Sequence, residues 1–317
     1  MNKNSQAGFF DYLPLMLMTI SVFTAASLVF IFILKMSAPV PVFIFFAIVQ
    51  VLCMLLYYAL PAAGKPVARK ISMILIGSTI LFLAGLLGKQ NFQVEGLVFL
   101  ILGGIFGGPV IHFIMKTAGT LFTGRSWCSW GCWTAAVLDF LPYKNETVWK
   151  NKTLPKFRYF HLILSIIAVV VLYKIFGYNT NDIPAVNARE GQGNIQVVYW
   201  FITGNLLYYF TGIVLAFRMK DNRAFCKYIC PVAIPLKLSA LVSFLRIKRN
   251  DSKCSACLKC EKQCPSSIKI YSYIEKNERV TSTECMMCLN CVAVCPEGKL
   301  KASLGIDFTK SEKLNGI

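Results

Sequence analysis

One cysteine phrase occurs twice near the end of the chain. Cys254-x2-Cys257-x2-Cys260-x3-Cys264-Pro265 is followed by Cys285-x2-Cys288-x2-Cys291-x3-Cys295-Pro296. Each short loop offers three thiols, and a cubane needs a fourth from a distant residue. In the two-cluster iron–sulfur arrangement, that residue is the last cysteine of the other run. The spacing therefore assigns Cys254, Cys257, Cys260 and Cys295 to one [4Fe–4S] cluster, and Cys285, Cys288, Cys291 and Cys264 to a second. It predicts a bacterial-type α+β two-cluster ferredoxin domain over 251–300, with 301–317 as a tail. Zinc sites use paired C-x2-4-C knuckles with longer spacers. Three evenly spaced cysteines plus Cys-Pro, twice over, do not follow that pattern.

The preceding 250 residues predict an all-α polytopic membrane domain. Hydrophobic residues make up 56% of the chain and charged residues 15%, where soluble domains carry roughly 25% charge. Apolar runs near the roughly 20 residues that cross a bilayer follow one another. Leu13–Leu34, Val42–Leu60, Ile71–Gly88, Leu97–Met115, Tyr159–Phe176 and Val197–Phe217 read as six transmembrane helices. The first is too long for a signal-peptide core and lacks a small-residue cleavage site, so it is expected to be retained. Pro235–Ile247, apolar residues interleaved with Lys237 and Arg246, reads as an interfacial helix leading into the ferredoxin domain.

Basic residues concentrate in alternate loops: Lys65, Arg69 and Lys70 after the second run, seven between Lys116 and Arg158, and Arg218, Lys220, Arg223 and Lys227 after the last. The positive-inside rule then puts both termini and every cysteine motif on the cytoplasmic side. From Asp251 onward there are ten Lys/Arg against eight Asp/Glu, so the net charge of +18 belongs to the membrane part. Topology and attraction to anionic lipid headgroups account for it, and a nucleic-acid partner is not needed. Thiols facing a reducing cytosol are expected free of disulfides. Cys53, inside the second run, reads as a small buried hydrophobe.

Four more cysteines form a second repeat. Arg125-Ser126-Trp127-Cys128-Ser129-Trp130-Gly131-Cys132 matches Arg223-Ala224-Phe225-Cys226-Lys227-Tyr228-Ile229-Cys230 at an offset of 98 residues. Cysteines four apart share one face of a helical turn. Two such pairs offer four thiolates, enough for a third iron–sulfur cluster of either [2Fe–2S] or [4Fe–4S] type. A redox-active dithiol and a Cu(I) site are the alternatives, with a purely structural role beside them. Arg125 and Arg223, three residues before their first cysteines, either offset thiolate charge or anchor the helix ends. His112 and His161 lie near the ends of their runs, where interfacial histidines bonded to backbone or lipid are ordinary; axial ligation of a haem b is the weakest reading for them. Gly103-Gly104-Ile105-Phe106-Gly107-Gly108-Pro109 predicts close packing and a kink.

Trp127-Cys128-x3-Cys132 and Phe225-Cys226-x3-Cys230-Pro231 after membrane runs, followed by two C-x2-C-x2-C-x3-C-P motifs, resemble the membrane-bound polyferredoxins. That group includes the NapH-type quinol dehydrogenase components, the iron–sulfur half of NosR and the CcoG-type assembly proteins. The motifs cover Gly124 to Pro296 and use twelve of the thirteen cysteines. The chain departs from the group at Trp133, where a proline is usual after the first pair. The resemblance implies an electron-transfer subunit in a bacterial or archaeal cytoplasmic membrane, working between quinone and a flavoprotein, ferredoxin or reductase subunit. It also implies a quinone-binding role for His112 or His161. Assembly or metal handling, with the membrane cysteines binding or reducing copper, and a cluster-bearing scaffold are the alternative functions.

Overall fold

The computed structural model describes residues 40–61, 63–143, 154–177, 195–250 and 254–307, with scattered positions between 17 and 32. The first expected span, Leu13–Leu34, lies largely outside them. The expected tail 301–317 is described only to residue 307.

Four helices are long and apolar enough to cross a membrane: Val40–Ala59, Lys65–Leu87, Leu154–Lys174 and Ile195–Met219. They contain 20, 23, 21 and 25 residues, at or above the roughly 20 that a bilayer requires. Helix α1, Val40–Ala59, has no charged residue in its length. Helix α2, Lys65–Ser78, begins on Lys65-Pro66, where proline's missing N–H costs nothing. It continues as the wider π-wound turns Thr79–Leu87.

The fourth expected span is not one helix. Leu97–Met115 divides into α3, Val94–Leu102, and α4, Gly108–Thr123. The chain breaks at Gly103–Gly107 because Gly104 adopts φ +68°, a left-handed conformation open to glycine, and Pro109 then starts a new helix. A hydropathy window sees one apolar run there, because glycine is not polar. The six expected spans thus become four long helices and one broken segment among the described residues.

Helix α5, Trp127–Trp130, and α6, Trp133–Leu138, follow; α7 is Phe157–Lys174, α8 Ile195–Met219, α9 Ala224–Tyr228 and α10 Ala233–Ala240. The expected interfacial helix Pro235–Ile247 is shorter than the sequence suggests. After Ala240 the chain extends into strand β1, Leu245–Arg249, antiparallel to β2, Leu300–Leu304, with Ile247 opposite Ala302. Leu245 and Ile247 are buried, the period-two pattern of a strand. Short helices α11, Lys259–Lys262, α12, Ile270–Glu275, and α13, Asn290–Ala293, complete the C-terminal part.

By contacts the chain forms two compact units that do not follow chain order: residues 1–76, 119–132 and 239–316, and residues 77–118 and 133–238. In the first, one core joins Met54, Tyr57, Ala68 and Trp130 to Leu245, Ile247, Ile270, Tyr273 and Leu289. The second is organised by α3 against α7 and by α6 and α9 against α8. Trp133 Nε1 donates to Asn205 Oδ1 at 2.9 Å, and Leu138 packs on Gly212.

Gly77 sits against the backbone of Trp133: an added Cβ would lie 2.8 Å from its Cα. Backbone cannot swing away as a side chain can. Gly77→Leu is therefore expected to cost about 1–3 kcal/mol, read as a lower unfolding midpoint in detergent. An unchanged midpoint would contradict the close approach.

Candidate metal centre

The two ferredoxin-like runs have the same local fold. Ala256, Leu258 and Ser267 take positive φ in the first; Met287, Leu289 and Gly298 do so in the second, each 31 residues later. Five of these six are not glycine, so the surroundings hold a conformation that usually costs about 1–3 kcal/mol per residue. Left-handed residues alternating with ordinary ones turn successive backbone N–H groups inward, forming a nest for negative charge. The Met287 amide accordingly donates to the Cys285 sulfur, and those of Ser266 and Ile268 to the Cys264 sulfur.

One cavity in the first unit is lined by Cys264, Cys285, Cys288 and Cys291, with Ile247, Ile268 and Val280 as apolar walls. Without metal, that is an unfavourable place for thiolates. Burial, with Cys288 and Cys285 adding to it, pushes the Cys264 thiol up to about 12. Burial pushes Cys285 up to about 11 despite the Met287 amide, and pushes Cys291 well above its ordinary value, with Cys288, Cys285, Cys264 and Cys260 adding. Bound iron supplies the opposing charge, so a metal centre in this cavity replaces protons on these sulfurs. The donor set fits an iron–sulfur cluster on three grounds: four thiols around one cavity, inward amides and dry walls.

The other run is more open. Cys257 is exposed where its counterpart Cys288 is buried. Cys260 is pushed up to about 11 by burial, with Cys254 among the groups that add to the rise. The Lys299 amide lies 3.3 Å from the Cys295 sulfur.

The carbonyls of the second run point outward and are taken by residues from elsewhere in the first unit. Arg125 Nη1 donates to Thr283 O at 3.3 Å, Ser129 Oγ to Met286 O at 2.6 Å, Trp130 Nε1 to Met287 O at 3.1 Å and Tyr57 Oη to Leu289 O at 2.9 Å. Arg125, 1% exposed, also pairs with Glu284 at 2.7 Å. Burial alone would lower its pKa; Cys128 and Glu284 beside it hold it above the usual value. Arg246 is a second buried guanidinium within electrostatic reach of Cys285, with its own carboxylate partner in Asp307 at 3.2 Å.

Cys128 and Cys132 belong to the first unit, Cys226 and Cys230 to the second. In both copies the short helix ends before the second cysteine, at Trp130 and at Tyr228. Only the first thiol of each pair is therefore on a helical turn, contrary to the expectation of a shared helix face. Gly131 and the i→i−5 bond from Cys230 N to Phe225 O close the two turns. Arg223 pairs with Asp139 at 2.6 Å and is buried, so neither repeated arginine is a surface anchor. His112 packs edge-on to Phe92 and beside Trp133. His161 Nδ1 lies 2.9 Å from Ile229 O. The residues that sequence reading passed over are Tyr57, Arg246, Glu284 and Glu95. Glu95 carried a signal: it is the single acid between Asp11 and Asp139.

Residues 246–296 match the 4Fe-4S dicluster domain family. An uncharacterised protein of Methanocaldococcus jannaschii, MJ0749, is 27% identical over 224 residues, 67% of this chain and 77% of the relative. A second from that organism, MJ0750, is 24% identical over 193 residues, 58% of this chain and 77% of the relative. YccM of Escherichia coli (strain K12), provisionally named an electron transport protein, is 38% identical over 84 residues, 26% of this chain and 22% of YccM. No solved structure matches the chain. The chain thus carries a 4Fe–4S ferredoxin domain, has a relative named for electron transport, and contains helices able to cross a membrane.

Replacing Arg246 with Gln removes a positive charge near Cys285 while leaving Asp307 paired to Arg279 at 2.9 Å. The reduction potential of the cluster on that side is expected to fall by on the order of tens of millivolts, since 59 mV is a tenfold change for one electron. EPR-monitored titration reads it, and an unmoved or raised potential would contradict the placement.

Proposed function

We infer that the chain is a membrane-bound iron–sulfur electron-transfer subunit. It passes electrons between the quinone pool, or another membrane redox partner, and a partner protein. The observation that carries this reading is the cavity lined by Cys264, Cys285, Cys288 and Cys291 inside a matched dicluster domain. Those four would hold one [4Fe–4S] cluster, and Cys254, Cys257, Cys260 and Cys295 the other. The clusters, when bound, supply one-electron transfer. The residues of the chain do the rest: inward amides and the guanidiniums of Arg125 and Arg246 stabilise the negative sulfurs, and Tyr57 and Trp130 fix the loop.

The two thiol groups differ in a way that favours a two-ended relay. The group around Cys288 is enclosed and hydrogen-bonded to residues flanking the spans, while Cys257 is open to solvent. The second would face a soluble ferredoxin, flavoprotein or reductase, and the first the membrane side. The density of basic residues near the cysteine motifs supports a cytoplasmic location for both termini and for the clusters.

Iron and acid-labile sulfide per chain test the reading. Two cubanes give about 8 iron atoms, and about 10 or 12 report a further cluster on Cys128, Cys132, Cys226 and Cys230. Cys264→Ser with Cys288→Ser is expected to remove about 4 iron atoms and one EPR signal. Retention of all the iron would sink the assignment. Cluster reduction by a quinol, followed by EPR, tests the membrane partner; reduction by dithionite but by no quinol would remove quinone from the reading.

A further inference from the structure

The second unit contains a cavity of about 480 Å3, within the roughly 300–1,000 Å3 range of small-molecule sites. Phe160, Trp200 and Leu207 form part of its wall and are also exposed on the spans Leu154–Lys174 and Ile195–Met219. On helices of this length and composition, such faces meet lipid.

Three polar groups stand within those apolar walls. Gln93, 4% exposed, has no hydrogen-bond partner for its Nε2 among the described residues. Glu95 Oε1 accepts from Ser165 Oγ at 2.7 Å and from Tyr208 Oη at 3.4 Å, while its buried Oε2 has no partner among the described residues. His161 Nδ1 faces the Ile229 carbonyl, which can only accept, so that nitrogen carries the proton and Nε2 is left as an acceptor. An unsatisfied buried polar group costs about 1–3 kcal/mol. Two of them in one cavity describe an unmet ligand rather than packing. The cavity wall also includes Phe225 and Ile229, the residues immediately before Cys226 and Cys230.

We propose that this cavity binds the ring of a lipid-soluble hydroquinone, with Gln93 holding a ring oxygen and Glu95 and His161 accepting the two phenolic protons. Each hydroquinone hydroxyl both donates and accepts, which matches an orphan amide donor beside two acceptors. An acyl chain would leave all three groups unsatisfied. Oxidation breaks the two O–H bonds: one proton goes to His161 Nε2 and one to Glu95 Oε2. Two electrons leave one at a time to the oxidised iron–sulfur clusters of the chain, and the ring departs as the quinone. The site rests on the electron-transfer reading above, and names where the membrane substrate would bind.

The test uses the full chain in phosphatidylcholine nanodiscs, with decylubiquinone and decylubiquinol as probes. Wild type is expected to bind decylubiquinone saturably and to show quenching of tryptophan fluorescence, part of which is lost in Trp200→Phe. Gln93→Leu removes one hydrogen bond and Leu207→Trp fills the cavity; each should weaken binding about tenfold. Glu95→Gln should bind the quinone within about threefold yet slow cluster bleaching by decylubiquinol about a hundredfold, the scale of a lost proton acceptor. Dithionite bleaching, unchanged in every variant, shows that folding and clusters are intact. Binding indifferent to the Gln93 and Leu207 changes, or recovery of a lipid acyl chain alone from the cavity, would overturn the site while leaving the clusters in place. Wild type with no dithionite-reducible cluster would instead overturn the electron-transfer reading, even if quinone still bound.

Discussion

A loop that wraps a cluster turns its amides inward and so leaves its carbonyls facing out. In this chain those outward carbonyls are what the first unit is built around. Four of them, between Thr283 and Leu289, accept from Arg125, Ser129, Trp130 and Tyr57. In a buried setting each would otherwise cost about 1–3 kcal/mol. The requirement explains the composition of the segment before Cys132. An arginine, a serine and an indole N–H are donors of three different reaches, matched to three successive outward groups. The same segment carries Cys128, so the repeat that looked in sequence like a pair of metal claws also serves as a docking edge.

The two halves of the ferredoxin-like domain share backbone geometry but not surroundings. Residues 31 positions apart adopt the same left-handed conformations, yet Cys288 is enclosed where Cys257 is open. The enclosed side has Arg125 and Arg246 within reach of Cys285. A common ligand pattern therefore need not give two clusters of equal potential, because nearby charge and exposure are among the levers that set it.

Much of this was legible in the sequence, and the failures have physical causes. Local chemistry was readable: the cysteine spacing grouped Cys264 with Cys285, Cys288 and Cys291, the four thiols that line one cavity. Charge-free runs such as Val40–Ala59 declared themselves as long helices. The run over Leu97–Met115 misled because hydropathy does not register backbone handedness at Gly104. Strand Leu245–Arg249 was read as helix because its partner, Leu300–Leu304, lies more than fifty residues away and leaves no local trace. The burial of Arg125 and Arg223 was hidden for the same reason, since Glu284 and Asp139 are distant in sequence.

The core that joins Met54, Tyr57 and Ala68 to Leu245, Ile270 and Leu289 has a consequence for modularity. A ferredoxin that stands alone closes its own surface; this one is finished by the ends of two membrane helices. Cut free at residue 239, it would present open carbonyls and an uncovered apolar face together. The domain is therefore not a passenger that could be exchanged for another of its kind. Its dependence on those helix ends ties the lifetime of the redox centre to the integrity of the membrane part, so a fault in the spans would reach the iron without touching a single ligand.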